Sequence, residues 1–357
     1  MLNFAVGPVM SSDEVLKIGS EQVPYFRTAE FSKTMFENEE FFLKYLHAPN
    51  GAKAIFMTGS GTLGMEASIC NTLSHYDKAL VVNGGSFGHR FVELLETYDI
   101  PFEEIKLGFG EGLTKEDLAP FENSGFTTFL VNLHETSTGV LYNLDLISDF
   151  CHRNHLFLIV DAISCFLTDY INMEKSCADI VITGSQKALG CAPGVSLLAL
   201  SPRALERINH CDRKLYYLSL KKALLDMERG QTPFTPAVGV LRQINVRFKQ
   251  IEKNGGIESE YKRSSELAKY FRDSIKDLPF EITSNSLSNA VTPLHPLNVS
   301  AYSIFETLKD EYGIWVCPNG GELKDKVFRV GHMGNLTKEN YDTLINAFKD
   351  LQRRGLL

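Results

Sequence analysis

Between residues 52 and 200 one pattern recurs, and it constrains the fold more than any other feature of the sequence. A short apolar run is followed by a turn that contains Gly, Ser or Asn, and then by a stretch with helical periodicity. Such runs occur at residues 54–57, 79–82, 128–131, 156–160, 180–183 and 195–198. Strands that are apolar along their whole length are buried on both faces, as in a parallel sheet covered by helices. The pattern therefore predicts an α/β fold with a mostly parallel sheet.

The pattern of apolar and charged residues changes after about residue 255. Longer charged stretches with helical periodicity follow, at residues 258–276, 303–312 and 338–354, with short strand-like pieces between them. The glycine-containing segment 253–256 is the best candidate for a domain boundary, because glycine interrupts helices and strands alike. A chain of 357 residues has room for one large and one smaller domain.

Composition argues against several classes of function. The net charge is -8 at pH 7, and no basic stripe is present that could neutralise a row of phosphates, so we do not expect nucleic acid as a partner. No basic segment precedes an apolar one at the start, and no apolar run reaches membrane-spanning length, so we expect a cytoplasmic protein without membrane contact. The seven cysteines include no Cys-x-x-Cys pair, which favours reduced thiols over a disulfide framework or a metal site.

The turn after the first apolar run contains Ser60, Gly61 and Thr62 and leads into a helical stretch. Ligands of open parallel sheets bind at the carboxyl ends of the strands, so this turn is a candidate for a site. A glycine-containing turn at a helix N-terminus offers free N–H groups and the positive end of the helix dipole to a phosphate. The alternative is a plain strand-to-helix connection. The turn is not a Walker A loop, because no Gly-Lys-Ser/Thr follows.

Asp161 directly follows the most apolar run of the sequence, residues 156–160. A carboxylate at the end of a buried strand costs free energy unless a suitable group pairs with it. It could cap a helix or form a salt bridge with a neighbouring strand. Alternatively, it could pair with a protonated ring nitrogen or a metal ion.

Lys187 lies in a glycine-containing loop directly after the run 180–183. Most lysines are surface residues, but burial at this edge of the sheet would lower the pKa of the amine and favour imine formation. Phe87 follows the run 79–82 in a tight glycine turn, where it is either a core residue or an aromatic platform. Thr136 belongs to a hydroxyl-rich segment that is either a capped loop or part of a site.

Together, these residues place a phosphate-binding turn, an aromatic ring, a buried carboxylate and a lysine at successive strand ends. Pyridoxal 5'-phosphate (PLP) needs this set, because proteins hold it through a Schiff-base lysine and an acidic partner of its pyridinium nitrogen. The sequence therefore predicts a PLP enzyme.

The sequence also resembles the class V, fold-type I aminotransferases, in particular the alanine–glyoxylate and serine–pyruvate aminotransferases and the 2-aminoethylphosphonate transaminases. Correctly ordered motifs carry the resemblance over nearly the whole chain: Gly7-Pro8, Ser60-Gly61-Thr62, residues 135–140, Asp161-Ala162, residues 184–187, Thr235-Pro236 and residues 328–334. It implies a large domain of residues 15–255 around a mostly parallel seven-stranded sheet, and a smaller α+β domain of residues 1–14 and 256–357. It also implies a homodimer whose subunits share their active sites.

The resemblance implies a role for each matching residue. Lys187 would form the Schiff base, Asp161 would contact the pyridine nitrogen, Phe87 would stack on the ring, and Thr136 would lie near the ring hydroxyl. Arg329 would clamp the substrate carboxylate, a task that suits a bidentate guanidinium. The other implied residues are Ser60, Gly61, Thr62 and Gln186 around the phosphate, Thr235 reaching the phosphate from the partner subunit, and Gly7 and Arg27 at the substrate site.

The implied reaction moves an amino group from a small donor of the alanine or serine type to a 2-oxo acid of the pyruvate or glyoxylate type. A 2-aminoethylphosphonate:pyruvate transaminase is an alternative, with Arg329 on the phosphonate and Arg27 as a second cation. Cysteine desulfuration by Cys317 is another alternative, which requires the cysteine to lie on a mobile loop. The apolar residues before Cys317 suggest instead that it lies at the end of a strand. A further alternative is a non-catalytic binding protein with the same fold. The presence of both Lys187 and Asp161, which such a protein does not need, argues against it.

Three departures from the family pattern put the substrate in doubt. Phe26-Arg27 stands in place of the usual His-Arg pair, and Cys191-Ala192-Pro193 stands where two consecutive prolines are common. Thr232 occupies a position where some relatives have a phosphate-binding tyrosine.

Overall fold

Apart from Leu156, which lies just before a strand, each of the apolar runs lies in a strand of the computed structural model, which describes residues 1–357. The strands are β1 (Leu2–Phe4), β2 (Lys53–Thr58), β3 (Ala79–Asn83), β4 (Phe102–Lys106), β5 (Thr128–Asn132), β6 (His134–Glu135), β7 (Val140–Leu141), β8 (Phe157–Asp161), β9 (Ile180–Gly184), β10 (Val195–Leu200), β11 (Phe280–Ile282), β12 (Val291–Pro296), β13 (Ile314–Pro318) and β14 (Phe328–Gly331).

The three charged stretches near the C-terminus are helical, as predicted. The helices are α1 (Asp13–Gly19), α2 (Ala29–Tyr45), α3 (Gly61–Thr72), α4 (Ser86–Thr97), α5 (Lys115–Leu118), α6 (Leu144–Arg153), α7 (Pro202–His210), α8 (Leu220–Met227), α9 (Val238–Lys253), α10 (Gly256–Ser274), α11 (Ala301–Tyr312) and α12 (Lys338–Arg353). None of these helices has the length and apolar character needed to cross a membrane.

The larger sheet has seven strands in the order β2-β10-β9-β8-β5-β3-β4. Only β10 runs antiparallel to its neighbours, β2 and β9. The side chains of β8 alternate between two cores: Leu158 and Val160 belong to the core on one face of the sheet, and Phe157 and Ile159 to the core on the other. Both faces are therefore buried, which confirms the predicted α/β fold with a mostly parallel seven-stranded sheet.

A second sheet of five strands has the order β1-β13-β14-β12-β11, and it builds a third core together with α10, α11 and α12. Its strand β1 comes from the N-terminus and pairs in parallel with β13, with Leu2 opposite Ile314. The exact limits of the two domains stay a prediction, but Asn254 and Gly255 do separate α9 from α10.

The topology sends several loops to one edge of the large sheet. Strands β2, β3, β5, β8 and β9 run in the same direction, so their carboxyl ends meet at this edge. The candidate residues Ser60, Phe87, Thr136, Asp161 and Lys187 follow these strand ends, and they are therefore brought to one region of the molecule.

Candidate active site

Lys187 lies in the loop after β9 with 8% of its surface exposed. Its Nζ donates a hydrogen bond of 2.6 Å to the carbonyl oxygen of Val6. The next residue, Gly7, lies so close that a Cβ atom there would be 2.6 Å from Cδ of Lys187. The N-terminal segment therefore forms one wall of the lysine site, and it needs glycine at position 7.

Burial lowers the pKa of Lys187 from 10.5 to about 8. Burial is the largest cause of this shift; the positive charges of Arg329 and Arg90 contribute in the same direction, and Cys317 and Asp161 oppose it. Near neutral pH, a much larger fraction of this amine is neutral than of an ordinary lysine. A neutral amine is the nucleophile that imine formation requires.

Asp161 ends β8 and is 1% exposed. Its Oδ1 accepts a hydrogen bond of 2.8 Å from the N–H of Ile163, and its Oδ2 accepts one of 2.8 Å from the side-chain amide of Asn132. No helix begins at Asp161 and no cation forms a salt bridge with it, so neither of the two structural interpretations of the sequence is correct. Burial raises the pKa of Asp161 to about 6, while these hydrogen bonds and Lys187 oppose the shift. A buried carboxylate without a counter-ion fits a protonated ring nitrogen.

Phe87 lies in the first turn of α4, half-buried, with its ring centroid 5.9 Å from Nζ of Lys187. Its backbone N–H donates to the carboxylate of Glu135, and the guanidinium carbon of Arg90 lies 4.9 Å from its ring centroid. The structure thus brings the predicted aromatic ring and the predicted lysine together.

Ser60 is the N-cap residue of α3, but its hydroxyl does not cap the helix. At Gly61, a Cβ atom would collide with Cδ1 of Ile163, so any larger residue there would require that side chain to shift. Thr62 Oγ1 accepts a hydrogen bond of 3.2 Å from Nη1 of Arg90. Uncapped N–H groups beside a cation fit a phosphate group.

The side-chain oxygen of Gln186 is buried without a hydrogen-bond partner. Gln186 is adjacent to Lys187 in the chain, and its backbone carbonyl accepts from the N–H of Val9 at 3.3 Å. This residue therefore lies in the same loop as the lysine, held against the N-terminal segment.

Thr136 connects two parts of the site. Its hydroxyl donates to Ser164 Oγ at 2.6 Å, and its carbonyl oxygen accepts from Nη1 of Arg329 at 2.9 Å. Ser164 Oγ also lies 3.0 Å from Nδ1 of His134, whose Nε2 is buried without a partner. Burial lowers the pKa of His134 to about 3, so this imidazole is neutral.

Arg329 on β14 is 8% exposed, and its Nη2 donates to the carbonyl oxygen of Pro318 at 3.0 Å. Its Nε is buried without a partner, and no carboxylate pairs with the guanidinium. A buried cation that meets only carbonyl oxygens fits the carboxylate of a substrate. Cys317 lies opposite Arg329 in the pairing of β13 with β14.

Two predicted residues do not join this group within the chain. Arg27 donates to the carbonyl oxygen of Thr232 at 2.9 Å and to Gln231 Oε1 at 3.2 Å. Thr235, which follows in the same loop, is exposed. Neither residue forms a hydrogen bond with Lys187, whose Nζ donates to Val6.

Sequence reasoning missed four residues that shape the site: Asn132, Glu135, Arg90 and Ser164. Asn132 ends an apolar run as Asp161 does, and the two face each other in the pairing of β5 with β8, so the same strand-end signal could have revealed it. No group of three or more His, Cys, Asp or Glu side chains is placed to hold a metal ion.

Comparison with known proteins decides the family. The model of the aminotransferase class-V family matches residues 23–321. The chain belongs to the class V aminotransferases. An uncharacterized aminotransferase from Methanocaldococcus jannaschii is 31% identical, over 92% of this chain and 86% of its own length. Alanine–glyoxylate aminotransferase from Oryctolagus cuniculus is 26% identical, over 96% of this chain and 90% of its own length.

The fold agrees with that assignment. A solved structure of an aspartate aminotransferase of subgroup IV from Thermus thermophilus superposes with a TM-score of 0.92 at 25% identity, and 99% of each chain is covered. The class V aminotransferase described here is accordingly a PLP-dependent transaminase of fold type I, which acts on small amino donors and 2-oxo acids. The predictions of family, fold class, enzyme type and cofactor are confirmed.

Proposed function

We propose that this class V aminotransferase transfers the amino group of a small monocarboxylic donor, of the alanine or serine type, to a 2-oxo acid of the pyruvate or glyoxylate type. The observation that carries the proposal is Arg329, a buried guanidinium that lacks a carboxylate partner and is close enough to Lys187 to lower its pKa. One such cation matches one carboxylate. The relative from Oryctolagus cuniculus is named as an alanine–glyoxylate aminotransferase, which supports the same substrate class.

In the proposed site, Lys187 binds the cofactor covalently and Asp161 holds its ring nitrogen in the protonated form. Phe87 stacks on the ring, and Thr136 lies near its hydroxyl group. The proposed phosphate ligands are Ser60, Gly61, Thr62 and Gln186, with Thr235 from the partner subunit.

Bound PLP supplies an electron sink for the Cα–H bond of the amino donor. The amine of Lys187 would then take the proton from that Cα atom, and a pKa near 8 suits a general base that works close to neutral pH. Arg329 would hold the donor carboxylate so that the Cα–H bond faces the lysine.

The proposed homodimer is supported by the surface around Thr235. Tyr216 and Tyr217 are 75% and 45% exposed, and the ring of Tyr217 stacks on that of Phe234 with centroids 5.0 Å apart. Exposed aromatic rings of this kind are enriched at protein interfaces. If this loop reaches the partner's site, Arg27 accompanies it, because Arg27 is hydrogen-bonded to Thr232.

Two alternatives find less support. A 2-aminoethylphosphonate transaminase would use Arg27 as a second cation, yet Nη1 of this guanidinium already donates to Gln231 and Thr232, and it would do so in either subunit's site. Desulfuration would require Cys317 on a mobile loop, but Cys317 belongs to strand β13.

Cofactor attachment and donor choice test the proposal together. We expect borohydride to fix PLP to the peptide that contains Lys187, and Lys187→Ala to bind PLP without being labelled. Alanine and serine should convert the bound cofactor to its amino form, seen as loss of the absorbance of the lysine-bound form, and pyruvate or glyoxylate should restore it. Labelling at another lysine would contradict the site. Faster conversion by aspartate or 2-aminoethylphosphonate would contradict the donor class.

A further inference from the structure

The carboxylate of Glu135 is fully buried and receives only hydrogen-bond donors. Oε2 accepts from the backbone N–H of Gly88 at 2.8 Å and of Phe87 at 3.1 Å. Oε1 accepts from the backbone N–H of Ser137 at 3.1 Å and from its hydroxyl at 2.5 Å. Multiple donors stabilise a buried carboxylate, so Glu135 needs no cation beside it.

These contacts make Glu135 the N-terminal cap of α4. The N-cap residue of this helix is Gly85, which has no side chain to satisfy the first N–H groups. Glu135 supplies the missing acceptor from a different part of the chain, and its negative charge lies at the favourable end of the helix dipole. Gly85 leaves the necessary space, because a Cβ atom there would be 2.6 Å from Cδ of Glu135. The backbone position of Phe87 is thereby tied to one carboxylate.

The two residues after Glu135 hold the opposite side of the site. The carbonyl oxygen of Thr136 accepts from Arg329 at 2.9 Å. The carbonyl oxygen of Ser137 accepts from the side-chain amide of Asn319 at 3.4 Å. The segment 135–137 therefore contacts both the backbone of Phe87 and the guanidinium of Arg329 through adjacent residues.

We propose that Glu135 is a positioning residue that sets Phe87 and Arg329 relative to each other. This inference rests on the proposed function, in which Phe87 stacks on PLP and Arg329 binds the substrate carboxylate. Glu135 itself touches neither ligand in this proposal. It acts by fixing the start of α4 and, through the chain, the carbonyl group of Thr136.

Glu135→Gln tests the proposal with almost no change in volume. Every neighbour of the carboxylate is a donor, so the amide NH2 group of glutamine must face a donor at one of the two oxygen positions. We expect faster hydrogen exchange of the Phe87 and Gly88 amides and a dissociation constant for PLP raised at least about tenfold, as loss of a hydrogen bond to a charged group implies. The KM of the 2-oxo acid should also rise, because Arg329 loses its fixed position.

Glu93→Gln is the matched control, because Glu93 lies on the exposed face of the same helix. It should leave amide exchange, PLP affinity and KM unchanged. Ser137→Ala is the milder second variant, to be used if Glu135→Gln does not fold. It removes the 2.5 Å hydroxyl contact to Glu135 and the hydroxyl that accepts from the N–H of Ser86 at 3.1 Å. It should shift the same quantities in the same direction by a smaller factor.

The readouts separate a positioning role from a purely structural one. A lower melting temperature with PLP affinity and KM equal to those of Glu93→Gln would overturn the proposal, for Glu135→Gln or, if that variant does not fold, for Ser137→Ala. Failure of the wild-type protein to attach PLP at Lys187 would instead overturn the proposed function. In that case, amide exchange at Phe87 and Gly88 would still report on the cap.

Discussion

Replacement of Gly7 by alanine tests how closely the N-terminal segment must approach Lys187. The φ angle of Gly7 is +125°, which L residues rarely adopt, and a strained backbone of this kind costs about 1–3 kcal/mol. The new Cβ would also lie 2.6 Å from Cδ, 2.9 Å from Cε and 3.0 Å from Nζ of Lys187. Since the lysine side chain is flexible, it should move and give up its hydrogen bond to Val6, which costs about 0.5–1.5 kcal/mol. We therefore expect Gly7→Ala to lower the free energy of unfolding of the cofactor-free protein by about 1.5–4.5 kcal/mol.

Two other glycines separate these contributions. Gly256 has a φ angle of +76°, and no atom lies within 4 Å of the place that a Cβ would occupy. Gly256→Ala therefore introduces backbone strain but no collision with a neighbouring side chain. Gly320 has a φ angle of -110° and equally open surroundings, so Gly320→Ala carries neither effect. In thermal unfolding, Gly320→Ala should be the most stable variant, Gly256→Ala the next and Gly7→Ala the least stable. Only Gly7→Ala should slow attachment of PLP. A Gly7→Ala protein no less stable than Gly256→Ala, with PLP attached at the wild-type rate, would refute the reasoning.

Two further predictions concern the charged groups of the site. Asp161→Asn should still attach PLP through Lys187, but alanine should convert the bound cofactor more slowly by a factor on the order of 10²–10³, because a preorganised buried charge is lost. Transient absorbance measures the rate of this conversion. A near-normal rate would mean that Asp161 has only a structural role. Since burial lowers the pKa of Lys187 to about 8, and the neutral amine is the reactive form, the rate of PLP attachment to cofactor-free protein should rise with pH and level off above about 8. A rate that keeps rising toward pH 10.5, the ordinary lysine value, would show that the amine is not buried as described.

The sequence predicts those parts of the fold whose signal is local. Apolar runs reveal buried strands. Strand β4 was not predicted because it is an edge strand whose five residues include Glu103, Glu104 and Lys106. Charges on an edge strand prevent unwanted pairing and remove the apolar signal. The antiparallel direction of β10 was not predictable either, since an apolar run looks the same in both directions.

The same distinction holds for the site. Lys187 and Asp161 stand out because each is a charged residue at or shortly after the end of a buried strand. Arg90 does not, because a charged residue on an amphipathic helix looks like any solvated position. Glu135 contacts Gly88 across 47 residues of sequence, so its role depends on tertiary structure that no local pattern encodes.

Because β1 is at the N-terminal end of the sequence and its partner strand β13 is far along the chain, the lysine site can be completed only after most of the chain has been synthesised. Leu2 pairs with Ile314, so the second sheet closes on residues separated by more than 300 positions. At 5–20 residues per second, a ribosome needs roughly 15–60 s to make the chain between them. During that interval the large sheet can already assemble, whereas β1 has no partner strand, and the segment around Val6 is held near Lys187 only by contacts outside the second sheet, such as the hydrogen bond from Val9 N–H to Gln186. Completion of the cofactor pocket therefore waits until β13 has been made, and in a nascent chain stalled before β13 the N-terminal wall of the Lys187 site should lack the strand pairing that fixes it.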